Sequence, residues 1–251
     1  MGAFMVKNTN DSADKNFVEQ VRRSLKPVKK EVQVVENGRA KKFEVRRIAV
    51  GPIITRFGNF MIYEFKINDR WKDYEVLVNA KAFDKDFMPL FERGRELLIK
   101  TDSGCRTGEI YLDRTCTCRQ QLHSAMETIG KRGNGLIITI PNQEGRGHGY
   151  AKKYATLVLQ KELGYDTYEA SKAVNKKVDV RDYYGAVAIL KFFGIGQSHR
   201  LEVIANNNSK LKEVLENGYS ARLAKQDIRA DRYTIKHLMA KRDKLGEMVK
   251  I

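Results

Sequence analysis

What this 251-residue chain lacks narrows the reading first. No stretch approaches the roughly 20 apolar residues that a membrane-crossing helix requires. The opening MGAFMVKNTNDSADKN carries no apolar core of a secretory signal, so a cytoplasmic protein without a membrane partner is expected. Cysteines number three, an odd count outside a secretory context. That argues against a disulfide framework and turns attention to metal or thiol chemistry. No internal repeat or low-complexity tract is present. Acidic residues fall short of balance: 31 Asp and Glu face 47 Lys and Arg, a formal charge of +16. Such a surplus suits either a polynucleotide or a small anionic ligand. The lysines are scattered through helix-like segments, which favours a nucleotide-sized anion over nucleic acid.

Residues 1–44 are polar and charge-rich and read as a partly ordered N-terminal extension. From residue 45 to 251 the texture changes to that of a folded domain. RRIAVGPIITRFGNFMIYEFKIN and DYEVLVNAKAF alternate β-branched and aromatic residues as antiparallel strands do, with a turn at Gly58-Asn59. Beyond them, strand-like RELLIKT, GLIITIP and RLEVIAN alternate with helix-like QQLHSAMETIGKRG, GYAKKYATLVLQKELG and DYYGAVAILKFFG. This predicts an α/β (α+β) fold of mixed sheets with flanking helices. Gly130, Gly164 and Gly194 stand where helices should stop, and a lysine-rich helix is expected from Tyr233 onward.

Cys105 follows a strand-like run, and Cys116-Thr117-Cys118 precedes a helix. Three thiolates suit zinc and leave its fourth position for an acidified water, as in a catalytic site. Spacing alone equally allows a structural zinc completed by His123 or His148, or three reduced core cysteines. The strand GLIITIP runs into Gln143-Glu144-Gly145-Arg146-Gly147-His148-Gly149 and then a helix, a junction that brings backbone N–H groups near an anion. Asp179-Val180-Arg181-Asp182 either caps the next helix or presents Asp179 and Arg181 together to a cleft.

In order, Cys105, Cys116-Thr117-Cys118-x2-Gln121-Leu122, Gln143-Glu144-Gly145-Arg146, Asp166-Thr167-x-Glu169-Ala170, Asp179-x-Arg181-Asp182 and Asn206-Asn207 resemble the GTP cyclohydrolase II family. The likeness runs from about Arg46 to Met248. It implies one zinc per chain on Cys105, Cys116 and Cys118, and substrate contacts from Lys100, Gln121, Glu144, Gly145, Arg146, Thr167 and Lys210. It further implies Asp179 as proton acceptor and Arg181 as nucleophile toward the α-phosphate. The activity it implies is opening of the guanine imidazole ring of GTP at C8, with release of formate and of pyrophosphate assisted by Mg²⁺. A homodimer working in riboflavin biosynthesis is implied as well.

The sequence departs from the family on the substrate side. Lys100-Thr101-Asp102-Ser103-Gly104 stands where the family reads Arg-Val-His-Ser-Glu, Leu157 where it has a catalytic tyrosine, and Ala205 where it has a substrate-binding threonine. These changes leave open another nucleotide, a reaction ending at a formylated intermediate, or a non-catalytic nucleotide- or RNA-binding protein on the same scaffold. A zinc base deaminase ranks last, since no His-x-Glu accompanies a Cys-x-x-Cys.

Overall fold

The computed structural model describes residues 11–68, 73–92 and 94–249. Residues 1–10, the start of the segment read as an extension, lie outside the described residues. Helix α1 (Asp11–Ser24) leads into a hairpin of β1 (Val28–Glu36) and β2 (Arg39–Thr55), which β3 (Gly58–Ile67) and β4 (Asp73–Asn79) extend as antiparallel neighbours. A small ribbon of β5 (Ala82–Phe83) and β6 (Pro89–Leu90) precedes β7 (Leu97–Asp102). The chain then alternates through α2 (Arg106–Glu109), α3 (Cys118–Arg132), β8 (Gly135–Thr139), α4 (Tyr150–Glu162), α5 (Thr167–Val174) and α6 (Tyr184–Phe192). It closes with β9 (Arg200–Ile204), α7 (Asn208–Glu216), β10 (Ser220–Ala224) and α8 (Ile235–Leu245).

Eight strands make one mixed sheet in the order β1-β2-β3-β4-β8-β7-β9-β10. Its first half is antiparallel, while β8, β7, β9 and β10 run parallel to one another. The side-chain pattern explains the split. In β3 and β4 buried residues mostly alternate with half-buried or exposed ones, whereas Leu97–Asp102 and Gly135–Ile138 are buried throughout, because helices cover both faces of the parallel half. On one face α6, apolar on nearly every side, joins Val76, Ile138 and Val203. There Phe65 meets Phe192 and Phe193 edge-on at 5.0 and 5.4 Å. On the other face Ala125 and Ile129 of α3 pack with Phe60, Leu98 and Ile137. Among the described residues no helix is long and apolar enough to cross a membrane.

Two expectations change. The boundary expected after residue 44 falls inside β2, and residues 28–36 and 39–44 are sheet: Val28 to Glu36 pairs residue by residue with Arg47 to Arg39. The hairpin is an edge, so most of its side chains face water and its sequence reads as polar. What orders it is distant, for Val34 packs in the core and Lys30 Nζ donates to the Phe192 carbonyl at the end of α6 (2.8 Å). Gly130 does not stop a helix either. Helix α3 continues to Arg132 and ends on Gly133, whose left-handed backbone caps it.

Gly130 serves close approach instead: a Cβ there would lie 1.9 Å from the Phe57 carbonyl oxygen. Gly130→Ala is therefore expected to destabilise the protein by about 2 kcal/mol or more, even though alanine gains up to about 1 kcal/mol in helix propensity. A urea midpoint at or above that of the wild type would contradict this packing.

The parallel strands β7, β8 and β9 end side by side, and their carboxyl ends are where an α/β sheet offers a binding crevice. Cys105 follows β7 by three residues, Glu144 follows β8 by five and Asn206 follows β9 by two.

Candidate active site

The three cysteines converge at that edge. Their sulfurs all lie within 4.8 Å of one another, and Cys105 and Cys116 are 4.0 Å apart. Sulfurs about 2.3 Å from a tetrahedral zinc are separated by about 3.8 Å, so the cluster has the size a metal needs. Gly108 makes the convergence possible, since a Cβ there would come within 2.5 Å of Cys116 Sγ. Donor chemistry agrees. Hydrogen bonds from Cys116 and Cys118 hold the Cys105 thiol far below its ordinary pKa, helped by nearby Lys153. Sharing with the Cys105 sulfur pushes Cys116 up to about 11 and Cys118 upward as well. One thiolate supports two thiols here, and a divalent cation would take the place of the shared protons.

The two histidines that sequence offers as further ligands are engaged elsewhere. His123 faces Arg56 Nη2 through Nδ1 (2.9 Å), and His148 Nε2 meets the Lys177 carbonyl (2.8 Å).

The glycine loop forms the floor. Gly145 and Arg146 both adopt left-handed backbone, at φ of 58° and 59°. An arginine seldom accepts that conformation, so its side chain is aimed at some cost in strain. Arg146 Nη2 donates to Thr167 Oγ1 (3.2 Å), while the buried Nη1 has no hydrogen-bond partner. A buried guanidinium nitrogen left open in a cleft is a seat for an anion. Glu144 is buried, its carboxylate accepting from the Arg106 N–H (2.7 Å) and from Lys153 Nζ (2.5 Å). The same Lys153 ammonium reaches Cys105 Sγ at 3.2 Å. Burial alone would discharge Lys153, but Glu144 and the Cys105 thiolate raise its pKa, so it stays cationic.

Asp179 and Arg181 do meet, and neither caps α6. The guanidinium holds the carboxylate by three bonds of 2.5 to 3.2 Å. Burial opposes both charges, yet their pairing keeps Asp179 ionised and Arg181 protonated. The segment docks on the glycine loop, Val180 N donating to the Arg146 carbonyl (3.1 Å). Arg181 lines the cleft; Asp179 does not border it.

Cys105, Cys116, Cys118, Glu144, Gly145, Arg146, Thr167 and Arg181 all border one cleft. Lys100, Gln121 and Lys210 border an adjoining recess that shares Cys118 and Arg181 with it. Lys100 and Lys210 are buried and pushed down in pKa, chiefly by burial; Lys210 Nζ donates to the Thr101 carbonyl (2.5 Å) and Lys100 Nζ to Gln226 Oε1 (3.4 Å). Of the residues noted as family departures, Leu157 lines the cleft and Ala205 the recess. Tyr154, its ring 5.9 Å from that of Tyr150, is half exposed and does not reach in.

Sequence reasoning missed Lys153, His237, Lys241 and Glu247. Lys153 lay in plain view as a lysine one turn into the helix after the glycine loop. The other three come from α8 and its continuation, which no local pattern ties to the cysteines.

Near Lys210, Glu213 on α7 is partly buried, which with Glu216 nearby raises its carboxyl to about 7 from 4.5. The folded state therefore binds this proton more tightly than the unfolded chain, and stability falls as pH rises from 4.5 to 7. Solvent reaches part of the group and discounts the full shift. Glu213→Gln is expected to add about 1 kcal/mol at pH 8 and almost nothing at pH 4. Equal effects at the two pH values in urea melts would contradict it.

Comparison with known proteins fits this geometry. The profile of the GTP cyclohydrolase II family matches residues 46–221. A GTP cyclohydrolase-2 of Picrophilus torridus is 37% identical over 164 residues, 65% of this chain and 78% of that protein. The riboflavin biosynthesis protein RibBA of Aquifex aeolicus is 30% identical over 207 residues, covering 81% of this chain and 47% of its own length. RibBA of Staphylococcus saprophyticus is 32% identical over 198 residues, 78% of this chain and 46% of its own. The chain spans about half the length of the RibBA relatives it matches.

Proposed function

The chain belongs to the GTP cyclohydrolase II family, and from that premise we propose that it is a zinc-dependent hydrolase that opens the imidazole ring of a purine nucleotide. GTP is the substrate, and formate and pyrophosphate are released. One observation carries the reading: the three-sulfur cluster and the unpartnered buried nitrogen of Arg146 open onto the same cleft. The cluster suits the reacting base, and the guanidinium suits the phosphates.

Cys105, Cys116 and Cys118 would hold zinc, which would supply Lewis acidity and lower the pKa of a water toward neutrality. The protein's own groups do the rest. Lys153 neutralises and orients Glu144 and Cys105 at once. Arg146 and Arg181 take the nucleotide phosphates, where Mg²⁺ would supply further neutralisation of their charge. A protonated guanidinium is a poor nucleophile, and Asp179 keeps Arg181 protonated. We therefore assign Arg181 to phosphate binding and Asp179 to holding it. Gln121, Thr167, Gly145, Lys100 and Lys210 complete the substrate contacts.

A second reading rests on Leu157, an apolar side chain in the cleft that exchanges no proton. Under it the reaction stops at a formylated product. Mass spectrometry of products from a panel of purine and pyrimidine nucleotides decides between them. Loss of the formyl carbon from GTP supports the full reaction, a GTP product heavier by one water supports the arrested one, and no ring opening of any nucleotide rejects both.

A further inference from the structure

The family match ends at residue 221, but the chain beyond it returns to the cleft, which His237, Lys241 and Glu247 border. Gln226 exchanges hydrogen bonds with the Asn206 side chain (3.0 and 3.2 Å), and its Nε2 donates to the Gln121 carbonyl (2.7 Å). Met248 N donates to the Asn206 carbonyl (2.9 Å), and Lys244 binds Asp166 and Glu169 at the start of α5. Arg114, from the loop between the cysteines, lies 4.0 Å over the Tyr233 ring. The strap is thus fastened to the end of β9, to α3, to α5 and to the cysteine loop. It is built into the site.

From α8 it sends His237 and Lys241, one turn apart, into the cleft. The proton carriers bordering that cleft can be taken in turn. Glu144 accepts from Lys153 and Arg106, Glu247 from Lys241 (3.0 Å), and Asp113 from the N–H and hydroxyl of Thr115. Asp179 is spent on Arg181 and does not border it. Among the described residues, the half-buried imidazole of His237 is the cleft group able both to take and to give a proton that has no protein hydrogen bond.

We infer that His237 is a catalytic residue that faces the base of the bound nucleotide and carries a proton during ring opening. This rests on the reading of the cleft as a nucleotide hydrolase site. In that step the hydroxyl of the hydrated ring carbon becomes a carbonyl as the carbon–nitrogen bond breaks. The imidazole takes the hydroxyl proton, the departing nitrogen keeps the bonding pair, and the imidazolium returns the proton to it. The imidazole ends as it began, and one water has been added across the bond.

The groups around His237 make this dependent on substrate. Burial, then Lys241 on its own helix and Arg146 from the glycine loop, push its pKa down to about 3, with Cys105 opposing them. Lys241 already has Glu247 as its partner; nucleotide phosphates seated on Arg146 neutralise the other cation, which raises the imidazole from that value.

The test uses the zinc-loaded full chain with its nucleotide substrate. His237→Ala and His237→Asn are expected to lower kcat by about 10²–10³-fold, with zinc still at one per chain and KM within about threefold. Added imidazole should restore part of the rate to His237→Ala while leaving the wild type unchanged, an effect a merely structural role does not produce. The inference is overturned if either variant keeps kcat within threefold, or if imidazole restores nothing to a folded, zinc-replete His237→Ala. Where the alanine variant does not fold, kcat of His237→Asn decides. The wild type separates the two failures: no ring opening by it rejects the hydrolase reading, whereas an active wild type beside an equally active His237→Ala rejects the role of His237 alone.

Discussion

Cys116→Ser is expected to lose bound zinc and ring-opening activity together, with the rate falling by about 10³-fold or more, while the protein stays folded. A serine hydroxyl remains protonated at neutral pH and is a poor zinc ligand, and two thiolates are too few for tight binding. The fold survives because the cluster lies outside the core. Cys116 sits in a loop between the four-residue α2 and α3, and the buried sheet packs without it. Metal analysis, circular dichroism and formate release on one preparation read all three. Zinc lost together with the tertiary structure would make the metal structural, and full activity in the zinc-free variant would remove the metal from the chemistry.

Arg146→Gly is expected to separate function from stability. The side chain holds a buried nitrogen with no partner and sits at φ 59°, so its removal relieves both an unsatisfied donor and left-handed strain. Those terms are worth about 1–3 kcal/mol each, against a lost bond to Thr167 and lost packing, leaving stability unchanged or raised by about 1 kcal/mol. Binding moves the other way. Losing a buried charge-assisted contact to phosphate costs about 3–4 kcal/mol, or on the order of 10²–10³ in nucleotide affinity. Calorimetric titration with a non-hydrolysable nucleotide, beside a thermal melt, checks both signs. A destabilised variant that still binds nucleotide as the wild type does would place the phosphates elsewhere.

How much of this could be read in advance depends on how far each signal travels along the chain. The cysteine loop, the glycine loop and Asp-x-Arg are local, and each follows a strand or precedes a helix that its own sequence announces, so their residues are legible in the sequence alone. What brings them together is the parallel order of β7, β8 and β9, which alternation of strands and helices implies only in outline. The remainder is tertiary. Gly130 reads as a helix stop because glycine ends helices, yet its role is set by the Phe57 carbonyl on another element. Residues 28–44 read as a polar tail because an edge hairpin shows water most of its side chains, and its partner α6 is more than 140 residues away. His237, Lys241 and Glu247 carry no motif of their own. Helical periodicity gives α8 an inward face but does not say that the face borders a cleft with cysteines about 120 residues upstream.

The most direct measurement is formate released from GTP by metal-free protein as zinc is added back in steps. Activity rising linearly and levelling at one zinc per chain, with pyrophosphate appearing beside formate, is the predicted result. Formate release that is absent at every zinc level, or that proceeds equally without zinc, would contradict a zinc-dependent nucleotide ring-opening site at Cys105, Cys116 and Cys118.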